Sequence, residues 1–256
     1  MSQQRRLVVG GIATAEGLHA HATIAIRDVA LAGSFSQHIC SGSLISSQHI
    51  LTAAHCLFAF APFTGGATRR PTANLYVDTY RWNRSGSDAQ ISNCSQSVGV
   101  ARATAHPGYH PSGVDWDVAV LALAEPVRCA GEEIPIVALP TDLPTPSDAL
   151  VAPLWQYPLD DQVAVLAGWG ALRSHEISGL TAEEARLIWP DTMHVTNVTI
   201  RNWRICHQIL GGLSTFANGN PFTKSSECAT LTRPQHGAHN SPCIQPHPSG
   251  TFCTRV

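Results

Sequence analysis

A histidine between small residues and a cysteine is the group in this sequence whose surroundings best suit a general base. His55 follows Ala53 and Ala54 and precedes Cys56. A general base needs a fixed imidazole with room for a substrate beside it, and the two alanines leave that room. A disulfide from Cys40 to Cys56 would hold the loop in place. Because the chain has 13 histidines, simple packing is the alternative for His55.

Two carboxylates stand before a second apolar run. Asp115 and Asp117 precede residues 118–123, which read as a buried strand. An ionised carboxylate at the mouth of such a strand needs a partner to offset its desolvation, and an imidazole N–H is a suitable one. We therefore expect one of these carboxylates to face His55.

The elements that must position these groups are strands. Short β-branched or alternating runs separated by turn residues predict an all-β chain, with strands at about 23–27, 49–52, 74–80, 98–104, 118–123, 162–167 and 194–200. Thr181 and Glu184 form a capping-box pattern that Pro190 ends, which predicts one helix over 181–188. Five prolines from Pro140 to Pro158 predict a crossing over 141–158 between two packed units, at about 8–140 and 159–256.

Composition excludes several classes of function. The 256 residues are 44% hydrophobic, enough for one large all-β domain or two small ones. The 16 basic and 18 acidic residues nearly balance, which argues against a nucleic-acid partner and leaves no basic face for a membrane. The longest apolar runs are strand-sized, far below the roughly 20 residues that span a bilayer.

Cysteines and sequons indicate an oxidising, extracellular setting. The chain has eight cysteines and three Asn-X-Ser/Thr sequons, at Asn83, Asn93 and Asn197. Residues 1–6 are polar and basic and contain no apolar signal segment, so we expect the start of the chain to be incomplete or trimmed.

Four motifs occur in an order that resembles the trypsin and chymotrypsin family of serine endopeptidases. They are Val8-Val9-Gly10-Gly11, residues 51–56 around His55, residues 117–121 beginning at Asp117, and residues 165–170 around Trp169. The resemblance covers roughly 8–230. It implies two antiparallel six-stranded Greek-key barrels with an active site in the cleft between them. It also implies hydrolysis of a protein or peptide substrate without cofactor or metal, and control by protein inhibitors.

The resemblance assigns roles to two residues and pairings to four cysteines. His55 would be the general base, and Asp117 would hold its tautomer and stabilise the imidazolium. Asp117 has the family's register to the apolar strand behind it, which leaves Asp115 as a turn residue. The family's disulfides imply Cys40 with Cys56 and Cys206 with Cys228.

A third disulfide follows from hairpin register. The family pairs the strands 98–104 and 118–123 antiparallel. If that hairpin is centred near Pro111, residues whose numbers sum to about 223 face one another, which pairs Cys94 with Cys129. Cys243 and Cys253 have no assigned pairing. Together with the histidines of the tail, His236, His239 and His247, they match no standard zinc spacing, and a solvated tail is the simpler interpretation.

The sequence departs from the family at the nucleophile. The family's Gly-Asp-Ser-Gly-Gly-Pro run is missing, and the nearest candidate is Ser249, with Pro248 in place of the aspartate and Thr251 in place of the second glycine. Proline has no N–H and threonine resists positive φ, so the anion site that binds the developing charge is compromised. Ser249 is therefore either an unusual nucleophile or a turn serine.

Both ends of the domain also depart from the family. Only seven residues follow Ser249, and residues 232–256 are rich in proline and histidine, so we expect the second barrel to be incomplete or divergent after about 230. At the start, Leu7 separates Arg6 from Val8, whereas the family is cut directly before the segment that matches Val8. Activation would need a different cut.

Three hypotheses for function remain open. The first is a secreted endopeptidase acting through His55 and Asp117, with unknown specificity. The second is an inactive protease homologue that binds proteins through its loops. The third is a truncated or misframed product, which an intact serine motif in an adjacent reading frame would support. The insertion 57–71, with Arg69-Arg70, is interpreted as a surface loop, with a substrate rim or a nicking site as alternatives.

Overall fold

Antiparallel β-strands make up most of the structure. The computed structural model describes residues 12–13, 24–31, 37–60, 66–80, 95–111, 116–129, 134, 136–137, 139, 163–170, 181, 183, 188, 190–201 and 228–231. In chain order the strands are β1 (Ile12–Ala13), β2 (Ile24–Asp28), β3 (His38–Ser46), β4 (His49–Thr52), β5 (Phe58–Phe60), β6 (Ala67–Arg69), β7 (Leu75–Thr79), β8 (Gln96–Ala105), β9 (Ala119–Leu123), β10 (Val163–Gly168), β11 (His194–Arg201) and β12 (Cys228–Leu231). The all-β fold class is confirmed.

Six of these strands close into a barrel. Its order is β2-β3-β4-β9-β8-β7, and β2 pairs with β7 to complete the ring. Bulges shift the register in the β2–β3, β3–β4 and β8–β9 pairs. Because a bulge bends a strand and increases its twist, these shifts suit a sheet that must curve back on itself.

Alternating residues of the barrel strands fill its interior. In β9 the buried residues Ala119, Leu121 and Leu123 alternate with Val120 and Ala122, the period of two that a half-buried strand requires. The side chains with 1% or less of their surface exposed include Ile24, Ile26, Leu44, Ile50, Leu75, Val77, Leu121 and Leu123. Such aliphatic burial contributes about 1.5–3 kcal/mol per side chain.

The described strands of the second half of the chain form a four-stranded antiparallel sheet together with β1. β11 lies at its centre and pairs with β10, with β1 and with β12. β1 comes from the start of the chain, so the N-terminal segment pairs with the second sheet rather than with the barrel. The domain bounds 8–140 and 159–256 stay a prediction.

Trp169 joins the second sheet to the barrel. Its side chain is 2% exposed and packs with Ala25 of β2 and with Met193. The ring also meets His38, the first residue of β3, edge to face with centroids 5.6 Å apart. The tryptophan of the fourth family motif is therefore part of the contact between the two units.

All seven predicted strands are present. The strands that were not predicted are β1, β3, β5, β6 and β12. The insertion 57–71 contains the hairpin of β5 and β6, with Phe58 opposite Arg69. Its interpretation as a plain surface loop is wrong at Arg70, whose side chain is 9% exposed and pairs with Asp28 at 2.5 Å. A buried, paired arginine does not offer a nicking site.

The predicted helix over 181–188 stays a prediction, because the structure describes only residues 181, 183 and 188 of that range. Glu183 and Ile188 have helical backbone, and Ile188 is 2% exposed. Across the described residues, no helix has the length and apolar character needed to cross a bilayer. Several sequence predictions fall outside the described residues: the segment 8–11, the crossing 141–158, Asp115, and the tail with Ser249, Cys243 and Cys253.

Candidate active site

The end of strand β4 carries His55 to the surface of the barrel. The Thr52 hydroxyl donates to the Ser41 carbonyl at 2.9 Å, which ties the last residue of β4 to β3. Ala53 is still extended, and the chain then tightens into a single 3₁₀ turn over Ala54–Leu57. Short 3₁₀ turns of this kind are common connectors. The turn buries Ala54 and leaves the His55 side chain 30% exposed.

A disulfide anchors the turn to the barrel. Cys40 of β3 is bonded to Cys56, with Cα atoms 6.0 Å apart, which confirms the predicted pairing. The Nε2 atom of His55 lies 3.8 Å from the Cys40 sulfur and 3.6 Å from the Cys56 sulfur. The ring is therefore packed against the bridge that fixes its own loop.

Asp117 is set by a tight turn before strand β9. The Val118 N–H donates to the Trp116 carbonyl at 2.7 Å, which closes a three-residue turn around Asp117. Trp116 itself has a φ of 59°, in the left-handed region that costs a residue with a Cβ about 1–2 kcal/mol. The backbone is thus held in a conformation of higher energy one residue before the carboxylate.

The two groups meet through both oxygens of the carboxylate. His55 Nδ1 lies 2.7 Å from Asp117 Oδ2, and the His55 backbone N–H donates to Oδ1 at 2.8 Å. Both distances suit hydrogen bonds to a charged acceptor. Two bonds to one residue fix the carboxylate plane relative to the imidazole ring, which a single bond would not.

This arrangement determines the tautomer of the ring. A carboxylate only accepts, so the proton of a neutral His55 lies on Nδ1 and the lone pair on Nε2. With 30% of the His55 side chain and 19% of the Asp117 side chain exposed, the dyad lies at the surface, where a substrate can reach it. The chemistry available is proton abstraction at Nε2, with the resulting imidazolium stabilised by Asp117.

Tyr109 lies near enough to Asp117 to be affected by its charge. Burial, and to a smaller extent the charge of Asp117, raises the pKa of Tyr109 to about 12. Its ring packs against Phe58 with centroids 5.6 Å apart. The phenol therefore stays neutral at physiological pH and contributes apolar surface rather than a second charge.

None of the sequence motifs indicates the aromatic contact that lies next to this site. His106 and Trp116 stack with centroids 4.5 Å apart and planes 8° from parallel. The residue numbers 106 and 116 sum to 222, close to the 223 predicted for facing residues of the hairpin. The predicted register could therefore have identified this contact. The Asp117 identified from the motif does contact His55, while Asp115 lies outside the described residues.

One cluster of metal-type ligands exists among the described residues, and its chemistry does not suit a metal. Cys40, His55 and Cys56 place their ligand atoms within 4.8 Å of one another. The two sulfurs are bonded to each other, whereas a metal binds thiolates. A cavity of about 360 Å³ elsewhere is lined by Gln96, Ser97, Val98, Gly99, Ala124 and Glu125, and it includes neither residue of the dyad.

Two known proteins are similar to parts of this chain in sequence. Phenoloxidase-activating factor 3 of Holotrichia diomphalia is 35% identical over 134 residues, which are 52% of this chain and 34% of that protein. The inactive serine protease PAMR1 of Bos taurus is 32% identical over 108 residues, 42% of this chain and 14% of that protein. The chain therefore spans well under half of the length of these two relatives.

A solved structure supports the fold. Neuropsin, a serine protease expressed in the limbic system of mouse brain, superposes with a TM-score of 0.58 over 88% of this chain and 75% of its own, at 18% identity. At that identity the match speaks for the fold alone. The Trypsin family model matches residues 9–220, which include the barrel, both residues of the dyad and strands β10 and β11. The chain belongs to the trypsin family of serine proteases.

Proposed function

We propose that this chain is a secreted serine endopeptidase in which His55 is the general base and Asp117 orients it. The observation that carries the proposal is the double contact of Asp117 with the ring nitrogen and the backbone N–H of His55. Membership of the family implies protein or peptide substrates. The proposal involves no cofactor, metal, nucleic acid or membrane, and it includes protein inhibitors as partners.

The reaction would be acyl transfer. Nε2 of His55 takes the proton of a serine hydroxyl as its oxygen attacks the peptide carbonyl, and then gives that proton to the leaving amine. Asp117 keeps Nε2 as the basic nitrogen and stabilises the positive ring. Water then releases the acyl group by the same proton path. Ser249 is the candidate nucleophile.

The experiment is covalent labelling with a fluorophosphonate, which reacts only with an activated serine. The sample is the secreted chain, shown to be folded by a single cooperative unfolding transition under non-reducing conditions. We expect one adduct by intact mass, mapped to Ser249 by peptide digestion. A His55→Ala variant with the same unfolding transition should give no adduct.

An inactive homologue that binds proteins is the second candidate. The sequence lacks the Gly-Asp-Ser-Gly-Gly run, and one relative carries the word inactive in its name. In that case the folded, secreted chain would take up no fluorophosphonate. The His55–Asp117 contact would then serve only to hold the loop, and the function would reside in the surface loops.

Secretion and glycosylation belong to the same proposal. Eight cysteines, the Cys40–Cys56 disulfide and three sequons support an extracellular setting. Expression of the natural transcript in animal cells should deliver the chain to the medium. Recovery of reduced chain from the cytosol alone would contradict this part of the proposal.

A further inference from the structure

One face of the second sheet carries an exposed sequon asparagine beside two exposed valines, with the buried Thr199 opposite Val163 on the same face. Asn197, in Asn197-Val198-Thr199, is exposed on β11, whereas Val198 and Thr199 are buried. Val163 and Val165 of β10 are 54% and 53% exposed, among the most exposed large apolar side chains of the described residues. Such an apolar pair on a strand surface favours association with other chains.

The strand register places these residues side by side. Asn197 and Val165 are direct partners in the antiparallel pair of β10 and β11, so their side chains project from the same face of the sheet. Val163 precedes Val165 by two residues and lies on that face as well. The amide of Asn197 thus stands next to the two valines.

We propose that Asn197 carries an N-linked glycan that covers Val163 and Val165. This rests on the proposed secretion of the chain, because the transferase works in the secretory pathway. The donor is an oligosaccharide linked to a lipid pyrophosphate. A bond forms between the side-chain nitrogen of Asn197 and the anomeric carbon of the first sugar. The bond from that carbon to the pyrophosphate breaks, the lipid pyrophosphate leaves, and the amide loses one proton.

The burial of Thr199 determines the stage of folding at which this transfer can occur. The hydroxyl of the third sequon residue takes part in recognition, and Thr199 is only 9% exposed in the fold. Transfer therefore precedes the folding that buries Thr199. The sugar then remains on the exposed face, where the C–H faces of its rings lie over the valines and its hydroxyls face water. A bulky hydrophilic cover of this kind increases solubility.

Occupancy is tested first, on protein secreted by animal cells. Release of glycans by a peptide N-glycosidase in ¹⁸O water labels each formerly occupied asparagine, and we expect label at Asn197. Thr199→Ser retains the sequon and should retain the glycan, whereas the nearly isosteric Thr199→Val should lose it. An unlabelled Asn197, in secreted chain or in chain retained inside the cell, would overturn the proposal.

The covering role is tested on the folded protein. An endoglycosidase that leaves one sugar and the N-glycosidase that leaves none are applied to native chain, and aggregation rates are compared by light scattering. We expect several-fold faster aggregation after complete removal. Val163→Thr with Val165→Thr should abolish the difference, since threonine keeps the strand preference without the apolar surface. Equal rates with and without sugar in the unsubstituted chain would refute the covering role.

These outcomes are separable from those of the proposed peptidase activity. Fluorophosphonate labelling of a chain with unmodified Asn197 would refute the glycosylation of Asn197 and would leave the proposed peptidase activity standing. A glycan on a chain that takes up no label would leave the inference standing and favour the inactive homologue. Asn83→Gln and Asn93→Gln are matched controls, because they remove the other two sequons and should not change aggregation through the valine pair.

Discussion

Trp116 stacks face to face on His106, with ring centroids 4.5 Å apart. The stack spans the two strands of one hairpin and ends one residue before Asp117. Trp116 also has a φ of 59°, so the stack holds the chain in a conformation that a residue with a Cβ rarely adopts. The position of the Asp117 carboxylate therefore depends on an aromatic contact outside the dyad.

Gly108 gives a test of this support. A Cβ at position 108 would lie 2.8 Å from Cδ1 of Trp116, so the Gly108→Ala variant must displace the indole from His106. We expect a loss of about 1–2 kcal/mol in the free energy of unfolding, from the lost stack and the close contact. Urea denaturation followed by tryptophan fluorescence and by far-ultraviolet circular dichroism measures it.

The matched control removes the indole first. Trp116→Gly loses the stack but relieves the positive φ, so it should be more stable than Trp116→Ala by about 1 kcal/mol. In the Trp116→Gly background, Gly108→Ala should have almost no effect. Additive effects of the two substitutions would mean that Gly108 and Trp116 do not interact.

The charge of Asp117 is the second test. In Asp117→Asn the side-chain amide can donate to Nδ1, which moves the proton of a neutral His55 to Nε2 and removes the base. In the type case of this triad the corresponding change lowers kcat about 10⁴-fold. We expect the rate of fluorophosphonate labelling to fall by about 10³–10⁴-fold. Glu125→Gln removes an exposed carboxylate outside the dyad and should label at the original rate.

The buried pair of Asp28 and Arg70 is the third test. Their side chains are 5% and 9% exposed, so Asp28→Leu leaves a guanidinium charge without a partner inside the protein. We expect a cost of about 3–5 kcal/mol in the free energy of unfolding. Adding Arg70→Met should restore most of that loss, because the buried charge is then removed as well.

A second ion pair gives the control. Asp78 pairs with Arg27, whose side chain is 26% exposed and also donates to Ser97. Water can solvate the guanidinium once its partner is removed, so Asp78→Leu should cost only about 1–2 kcal/mol. If Asp28→Leu and Asp78→Leu cost the same free energy of unfolding, the burial of the partner arginine does not determine the cost.

The predicted Cys94–Cys129 disulfide has gained structural support. Val100 lies opposite Leu123, which is the predicted register at that end of the hairpin. The Gln96 side chain bonds to the backbone of Arg128, and Cys129 is disulfide-bonded. Cys94 lies outside the described residues, so the pairing stays a prediction. Non-reducing digestion should yield one peptide pair joining Cys94 and Cys129, and Cys94→Ser should leave Cys129 open to alkylation.

Five of the six barrel strands were predictable because each has a local pattern, whereas β3 was not predicted. β9 lies in the apolar run 118–123, which reads as a buried strand, and β-branched or alternating runs mark β2, β4, β7 and β8. β5 and β6 have three residues each, too short for any period to be visible. Their pairing depends on contacts that sequence patterns do not encode, such as the Arg69 guanidinium 6.0 Å from the centre of the Phe58 ring.

The dyad was predictable from motif residues, and its surroundings were not. The motif identified His55 and Asp117, but the burial of Arg70 against Asp28 joins residues 42 positions apart. No local pattern indicates such a pair, because Asp28 ends barrel strand β2 whereas Arg70 follows β6, and only the tertiary structure brings them together. The same limit applies to Trp169, whose contact with Ala25 joins the two halves of the chain.

Alkaline pH gives the last test. Burial, and secondarily the charge of Asp117, raises the pKa of Tyr109 to about 12, and burial raises that of Tyr80 to about 12 as well. Both phenols are thus harder to ionise in the folded chain than in the unfolded chain, where the pKa is about 10. Their contribution to the free energy of unfolding is complete below pH 10. It is lost as the pH rises toward 12, because only the unfolded state releases protons in that window. Urea midpoints from about pH 9 to 11.5 should fall progressively, and Tyr109→Phe should reduce the slope. A slope unchanged in Tyr109→Phe would mean that Tyr109 titrates normally in the fold and that its ring is not desolvated near Asp117.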